Sequence, residues 1–191
     1  MKLHIRHASL WTIIACTLSA PAEANDGYNL WLGSVAQQTT PAAVEVRGDS
    51  PTLKIAADEL RRGLPTLPVP VLLARNDDPA VAALRIDAAA LGAEGYRVQR
   101  ATVDGRAVTL VTATSDIGIL YGAFALLRHA HSGGDLANVD LGSKPRTRLR
   151  LLNHWDNLDG VVERGYAGQS LWDWWTLPDF KDPRYAHYAR A

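Results

Sequence analysis

The sequence is poor in cysteine, methionine and net charge. It holds one Cys, Cys16, and one Met, Met1. A single thiol excludes a disulfide framework within the chain and a multi-cysteine zinc site. Twenty Lys and Arg residues face twenty Asp and Glu residues, so the formal net charge is zero. Without a basic surplus there is no general hold on a phosphate backbone, which argues against a nucleic-acid partner. No internal repeat is present, and no apolar run has the length of a transmembrane span. What the sequence does have is a hydrophobic fraction of 47%, ordinary for a globular chain and too high for a disordered one. Its six Trp, six Tyr and two Phe are unevenly placed. Eight of them follow residue 150: Trp155, Tyr166, Trp172, Trp174, Trp175, Phe180, Tyr185 and Tyr188.

The first residues have the pattern of an export signal. Lys2 and Arg6 form a positive start, residues 8–18 are uncharged and mostly apolar, and Ala20-Pro21-Ala22 fits a small-x-small cleavage site. Residues 1–22 are therefore expected to be a signal peptide, with residues 23–42 as the start of the mature chain. Export to the periplasm or the extracellular space follows from that reading. The alternative uses Ile13-Ile14-Ala15-Cys16 as a lipobox, which makes Cys16 a lipid anchor and the protein an outer-membrane lipoprotein. Cleavage after Ala22 removes Lys2, Arg6, the only Cys and the only Met. A mature chain without Cys suits an oxidising compartment.

Residues 43–130 read as an α/β domain. Residues 43–47 alternate as a strand does. Ser50-Pro51 marks a helix start, with Leu53, Ala56, Ala57, Leu60 and Leu64 at helical spacing and Gly63 with Pro65 ending the run. Residues 69–73, 84–88, 95–99 and 107–112 are expected strands. Asp104-Gly105 lies between alternating runs, a hairpin signal because both turn positions need positive φ. Ser115 or Asp116 caps a second helix reaching about His129. This order predicts an α+β two-layer domain, a mostly antiparallel sheet with helices on one face. Residues 131–148, with Ser132-Gly133-Gly134 and Lys144-Pro145-Arg146, read as a linker. Residues 149–152 read as a short strand.

The most informative stretch follows. Asn153-His154-Trp155-Asp156-Asn157-Leu158-Asp159-Gly160 continues into Val161-Val162-Glu163-Arg164-Gly165-Tyr166-Ala167-Gly168, with Ser170-Leu171-Trp172-Asp173-Trp174 beyond it. This string resembles the entry to the catalytic barrel of glycoside hydrolase family 67, the xylan α-glucuronidases. Residues 118–130 resemble the second helix of that family's N-terminal domain, and residues 26–32 its opening. The resemblance implies that residues 149–191 are an incomplete first βα unit of a (β/α)8 TIM barrel. Such a barrel takes about 250 residues in full. The family's general acid and base-side carboxylates lie on later strands, so no catalytic residue is carried over to this sequence. They are expected downstream of Ala191, and the 191-residue chain is expected to be an inactive N-terminal fragment. The implied substrate is a xylo-oligosaccharide bearing (4-O-methyl)glucuronic acid, hydrolysed with inversion at its α-1,2 bond. No metal or organic cofactor is implied, and the full-length enzyme is compatible with a homodimer.

If residues 149–152 are barrel strand one, His154, Trp155, Asp156 and Asn157 stand at the barrel's active-site mouth. An indole stacks on a sugar ring while Asn and Asp bond its hydroxyls; the resemblance implies that Trp155 is a wall of the glucuronic-acid subsite. On composition alone Trp155 would instead be core. Arg164 is a candidate for a substrate carboxylate, which guanidinium binds as a fork, against use in a structural ion pair. Asp156, Asp159 and Glu163 sit in one loop and do not easily flank a glycosidic bond, so turn hydrogen bonds and pairing of Glu163 with Arg164 or a neighbour are expected instead. Adjacent Trp172, Trp174 and Trp175 cannot share one face, so at least one should pack inward. His129 and His131 read as a helix end rather than a metal site. An alternative for the whole chain is a non-catalytic carbohydrate-binding or accessory α/β domain.

Overall fold

A computed structural model describes residues 41–190. Residues 1–22, expected to be a signal peptide and including Cys16, and residues 26–32 lie outside the described residues. The first described helix, α1 (Pro51–Gly63), begins where its chemistry says it should: the Ser50 hydroxyl accepts the Leu53 N–H at 3.2 Å and Pro51 takes the first helical position. The second long helix, α4 (Asp116–His131), is capped by Ser115 in the same way, with the Gly118 N–H as donor. Between them lie two short helices, α2 (Pro79–Ala82) and α3 (Ala88–Leu91).

Five strands form one sheet: β1 (Val44–Val46), β2 (Val71–Arg75), β3 (Tyr96–Val103), β4 (Arg106–Ala113) and β5 (Asp140–Ser143). Their spatial order is β1-β2-β4-β3-β5. The β3–β4 hairpin closes through Asp104 at φ 50° and Gly105 at φ 74°, the backbone that an Asp-Gly turn supplies.

Alternation along the strands splits the core in two. Val71, Leu73, Val98 and Val111 face Leu53, Leu60, Ile119 and Leu126 of α1 and α4. Leu72, Ala74, Val108 and Leu110 face the other way, towards Val81 of α2. Strand β2 is thus buried on both sides, which is why it reads as an unbroken apolar run rather than an alternating one.

Four expectations are corrected. The sheet is mixed rather than mostly antiparallel, with β1–β2 and β2–β4 parallel and β3–β4 and β3–β5 antiparallel, and helices lie on both its faces rather than one, because α2 covers the side opposite α1 and α4. Helix α1 crosses over between β1 and β2, and β4 inserts between β2 and β3. Residues 84–88 are not a strand. Asp78 and Asp87 accept backbone N–H groups of Ala80, Ala89 and Ala90, which turns the chain into α2 and α3. Residues 140–143, expected within the linker, form β5, and the neighbouring Val139 is buried. Residues 149–152 are also not a strand: they have no ladder partner among the described residues, and an extended segment is a strand only when a neighbour takes its hydrogen bonds. The last described helix is α5 (Pro183–Arg190).

Candidate functional site

The string after residue 152 folds into a compact loop. Asp159-Gly160 makes a turn in which the Asp159 carboxylate accepts the Val161 N–H at 3.1 Å and the Gly160 N–H donates to the Asn157 carbonyl. The returning chain pairs with the outgoing one through the Asp156–Val162 bridge, and Glu163 N–H donates to the Trp155 carbonyl. The Asn157 side-chain amide donates to the Val161 carbonyl, which fixes that side chain across the turn. The Ser170 hydroxyl donates to Asp156, and the Trp172 N–H donates to the same hydroxyl. Asp159 thus takes the turn-building role expected of it, whereas the Asp156 carboxylate holds the Ser170 side chain instead of nearby backbone.

At Glu163 and Arg164 the backbone enters the left-handed region twice in succession, at φ 47° and 59°, before Gly165 at 90°. Two non-glycine residues in that region cost about 1–3 kcal/mol each. The effect is a sharp corner that carries Glu163, Arg164 and Tyr166 back beside Trp155. No ion pair involves Glu163 or Arg164 among the described residues, so the expected pairing of these two is not formed.

The result is an open cleft of about 520 Å³ lined by Trp155, Asp156, Asn157, Glu163, Arg164 and Tyr166. Four of the five expected site residues meet there. Trp155 is 64% exposed, so it is a wall and not core. His154 is the exception. Its ring packs edge-on against Trp172 at 5.7 Å and against Tyr188 of α5 at 5.8 Å, and it does not line the cleft. Trp172 is the inward-packing member of the tryptophan set, 4.7 Å from the Tyr185 ring, while Trp174 and Trp175 stay exposed.

Tyr166 and Glu163 were not singled out for this cleft. The signal that would have found them is Asp159-Gly160 followed by Val161-Val162, a turn signal that folds residues 161–166 over 155–157. His131 bonds the Gly63 carbonyl at 3.0 Å and joins the ends of α4 and α1, as a helix-end histidine does. No group of three metal-ligating side chains occurs among the described residues. No described helix is long and apolar enough to cross a membrane.

Residues 32–126 match the profile of the glycosyl hydrolase family 67 N-terminus, and residues 129–191 that of the glycosyl hydrolase family 67 middle domain. A probable alpha-glucuronidase A of Aspergillus terreus is 39% identical over 88 residues, 46% of this chain and 9% of that protein. The protein of the same description in Aspergillus oryzae is 35% identical over 96 residues, 50% of this chain and 10% of its own length. That of Aspergillus niger is 25% identical over 190 residues, 87% of this chain and 22% of its own length. The chain thus spans less than a quarter of the length of these relatives.

Proposed function

The chain belongs to glycosyl hydrolase family 67, and on that premise we propose that it is the N-terminal part of an exported α-glucuronidase. The substrate in this reading is a xylo-oligosaccharide carrying (4-O-methyl)glucuronic acid. One observation carries it: Trp155, Asp156, Asn157 and Arg164 meet in a single open cleft with an exposed indole as its wall. The Trp155 face stacks on the sugar ring, and the Arg164 guanidinium meets the uronate carboxylate as a two-point fork. In this reading residues 149–190 belong to the first unit of a (β/α)8 barrel.

Hydrolysis with inversion needs an acid to protonate the leaving oxygen and a base to activate water from the opposite face. Their carboxyl groups stand roughly 6.5–9.5 Å apart across the bond. Asp156 and Asp159 are committed to loop hydrogen bonds, and neither is offered as the acid or the base. In this reading the catalytic carboxylates come from later barrel strands, and the 191 residues alone bind without hydrolysing. The α/β domain has its own role as an accessory scaffold, favoured by its apolar positions being spent on two core clusters while the cleft lies outside it.

Titration with an aldotetraouronic acid followed by tryptophan fluorescence tests the reading. Trp155→Ala is expected to weaken binding at least tenfold, about 1.4 kcal/mol, with no release of glucuronic acid by either protein. Unchanged affinity in the variant, or hydrolysis by the 191-residue chain, would remove this assignment.

A further inference from the structure

Helix α5 has eight residues and no fully buried side chain. Isolated helices of that length are marginal in water, so α5 depends on what it touches. On one side Arg190 reaches back 131 residues to Glu59 of α1, at 2.9 Å. Glu59 is a charge in an apolar setting, its side chain only 7% exposed, and its other oxygen accepts Arg62 at 2.9 Å. Each carboxylate oxygen therefore has one guanidinium. On its other side α5 holds the loop. Tyr188 packs on His154, Tyr185 packs on Trp172, and the Tyr185 hydroxyl accepts the Asp173 N–H at 2.8 Å.

A second tie fixes the start of the same segment. Arg150 pairs with Glu94, donates to the Tyr121 hydroxyl at 3.2 Å, and lies 5.7 Å from the centre of the Tyr121 ring. The α/β domain thus grips residues 150 and 190, the two ends of the segment that carries the cleft.

We infer that Glu59 is a positioning residue: the α/β domain orients the cleft loop through the Glu59–Arg190 ion pair and α5. The chain of contacts runs from Glu59 to Arg190, along α5 to Tyr188 and Tyr185, and from there to His154 and Trp172, which flank Trp155 and the Ser170–Asp156 bond. This also gives His154 a use outside the cleft, as the side chain by which α5 holds the residue next to Trp155. The carboxylate is buried and Arg190 meets one of its oxygens, so removing Arg190 leaves that oxygen unmatched while Arg62 keeps the other, and removing Glu59 releases Arg190 and the end of α5. The inference rests on the proposed sugar site only for what the positioning serves; the contacts themselves do not depend on a ligand.

Hydrogen exchange on the 191-residue chain tests it without any sugar, in Glu59→Gln, Arg190→Gln and the double variant. Amides of α5 and residues 154–173 are expected to exchange at least tenfold faster in each single variant, with no further increase in the double one. Amides of β3 and β4 should be unchanged, which a general loss of stability would not produce. Wild-type exchange in α5 of Arg190→Gln, strictly additive effects, or acceleration spread evenly through the sheet would each overturn the inference. Should Glu59→Gln unfold the domain, Arg190→Gln carries the test alone, because it withdraws the partly exposed partner. Failure of the wild-type chain to bind acidic xylo-oligosaccharide would count against the function proposed above and leave this exchange result standing.

Discussion

Arg164 has an exposed guanidinium on a left-handed backbone at the rim of a cleft, with no ion-pair partner among the described residues. Arg164→Gln keeps the length and loses the charge. It is expected to weaken binding of a glucuronic-acid-bearing xylo-oligosaccharide at least tenfold and to leave the carboxyl-reduced, glucose-bearing analogue within twofold, read by calorimetric titration of both sugars. Equal losses for the two would mean that Arg164 shapes the loop rather than meeting the carboxylate. A different arginine shows the structural use. Arg106 holds Glu45 of β1 with both guanidinium nitrogens, at 3.0 and 2.8 Å, and this hydrogen bonding places the Glu45 carboxyl below its ordinary value of 4.5. A depressed carboxylate adds stability above its unfolded value, and that stability is lost as pH falls through the lower folded value. Glu45→Gln should therefore be less stable than wild type near neutrality, with the gap closing in acid below the ordinary glutamate range. Urea midpoints across that range measure it, and because the pair is well exposed the gap is small.

The long elements were legible because their signals are local. Ser50-Pro51, Ser115 and Asp104-Gly105 each act within four residues, and each appears in the structure as its chemistry dictates. The sheet order was not legible, because nothing near β5 says that it will pair with β3 some forty residues earlier. Residues 84–88 misled for a related reason. Leu84 and Ile86 alternate as a strand would, yet they meet the second core cluster as loop residues once Asp78 and Asp87 have bent the chain. In the cleft, the stretch 154–157 stood out by its residue types, while the separation of His154 from Trp155 depended on α5, thirty residues on. Gly118 and Gly122 show what spacing alone conceals. They are too sparse for a phosphate loop, and the structure uses them to bring α4 close to the sheet. A Cβ at Gly122 would lie 2.7 Å from Val111 Cγ1 and 3.1 Å from Tyr96 Cβ. Gly122→Ala gains about 1 kcal/mol of helix propensity. Overpacking against a buried β-branched neighbour costs about 1–3 kcal/mol. The second effect should win, lowering the chemical denaturation free energy; a stabilised variant would mean that α4 moves outward freely.

The molecule as a whole divides its apolar surface unequally. The α/β domain hides most of its leucines and valines in two clusters on either side of one sheet, with Ile55 and Ile117 left exposed, whereas the segment after it leaves most of its large apolar side chains in water. Leu149, Leu151 and Leu152 are 73%, 69% and 69% exposed, on a stretch with no strand partner among the described residues. Leu158, Tyr166 and Trp175 are exposed beyond them. A cluster of exposed apolar side chains is a driving force for association with another chain. The scarcity of net charge removes the usual opposition. The formal charge of the chain is zero, and without residues 1–22 it holds 18 basic and 20 acidic residues, too little for mutual repulsion between copies. The chain prepared as these 191 residues is therefore expected to self-associate with rising concentration. Sedimentation velocity over a hundredfold concentration range should show the weight-average mass climbing. Serine at 149, 151 and 152 together should largely abolish the climb, because it withdraws the apolar driving force while leaving the backbone intact. The same triple variant should keep the far-ultraviolet spectrum and the denaturation midpoint of the α/β domain, since none of the three leucines belongs to either core cluster. A wild-type chain that stays monomeric across the range would show that residues 149–152 are covered in solution by a contact within the same molecule.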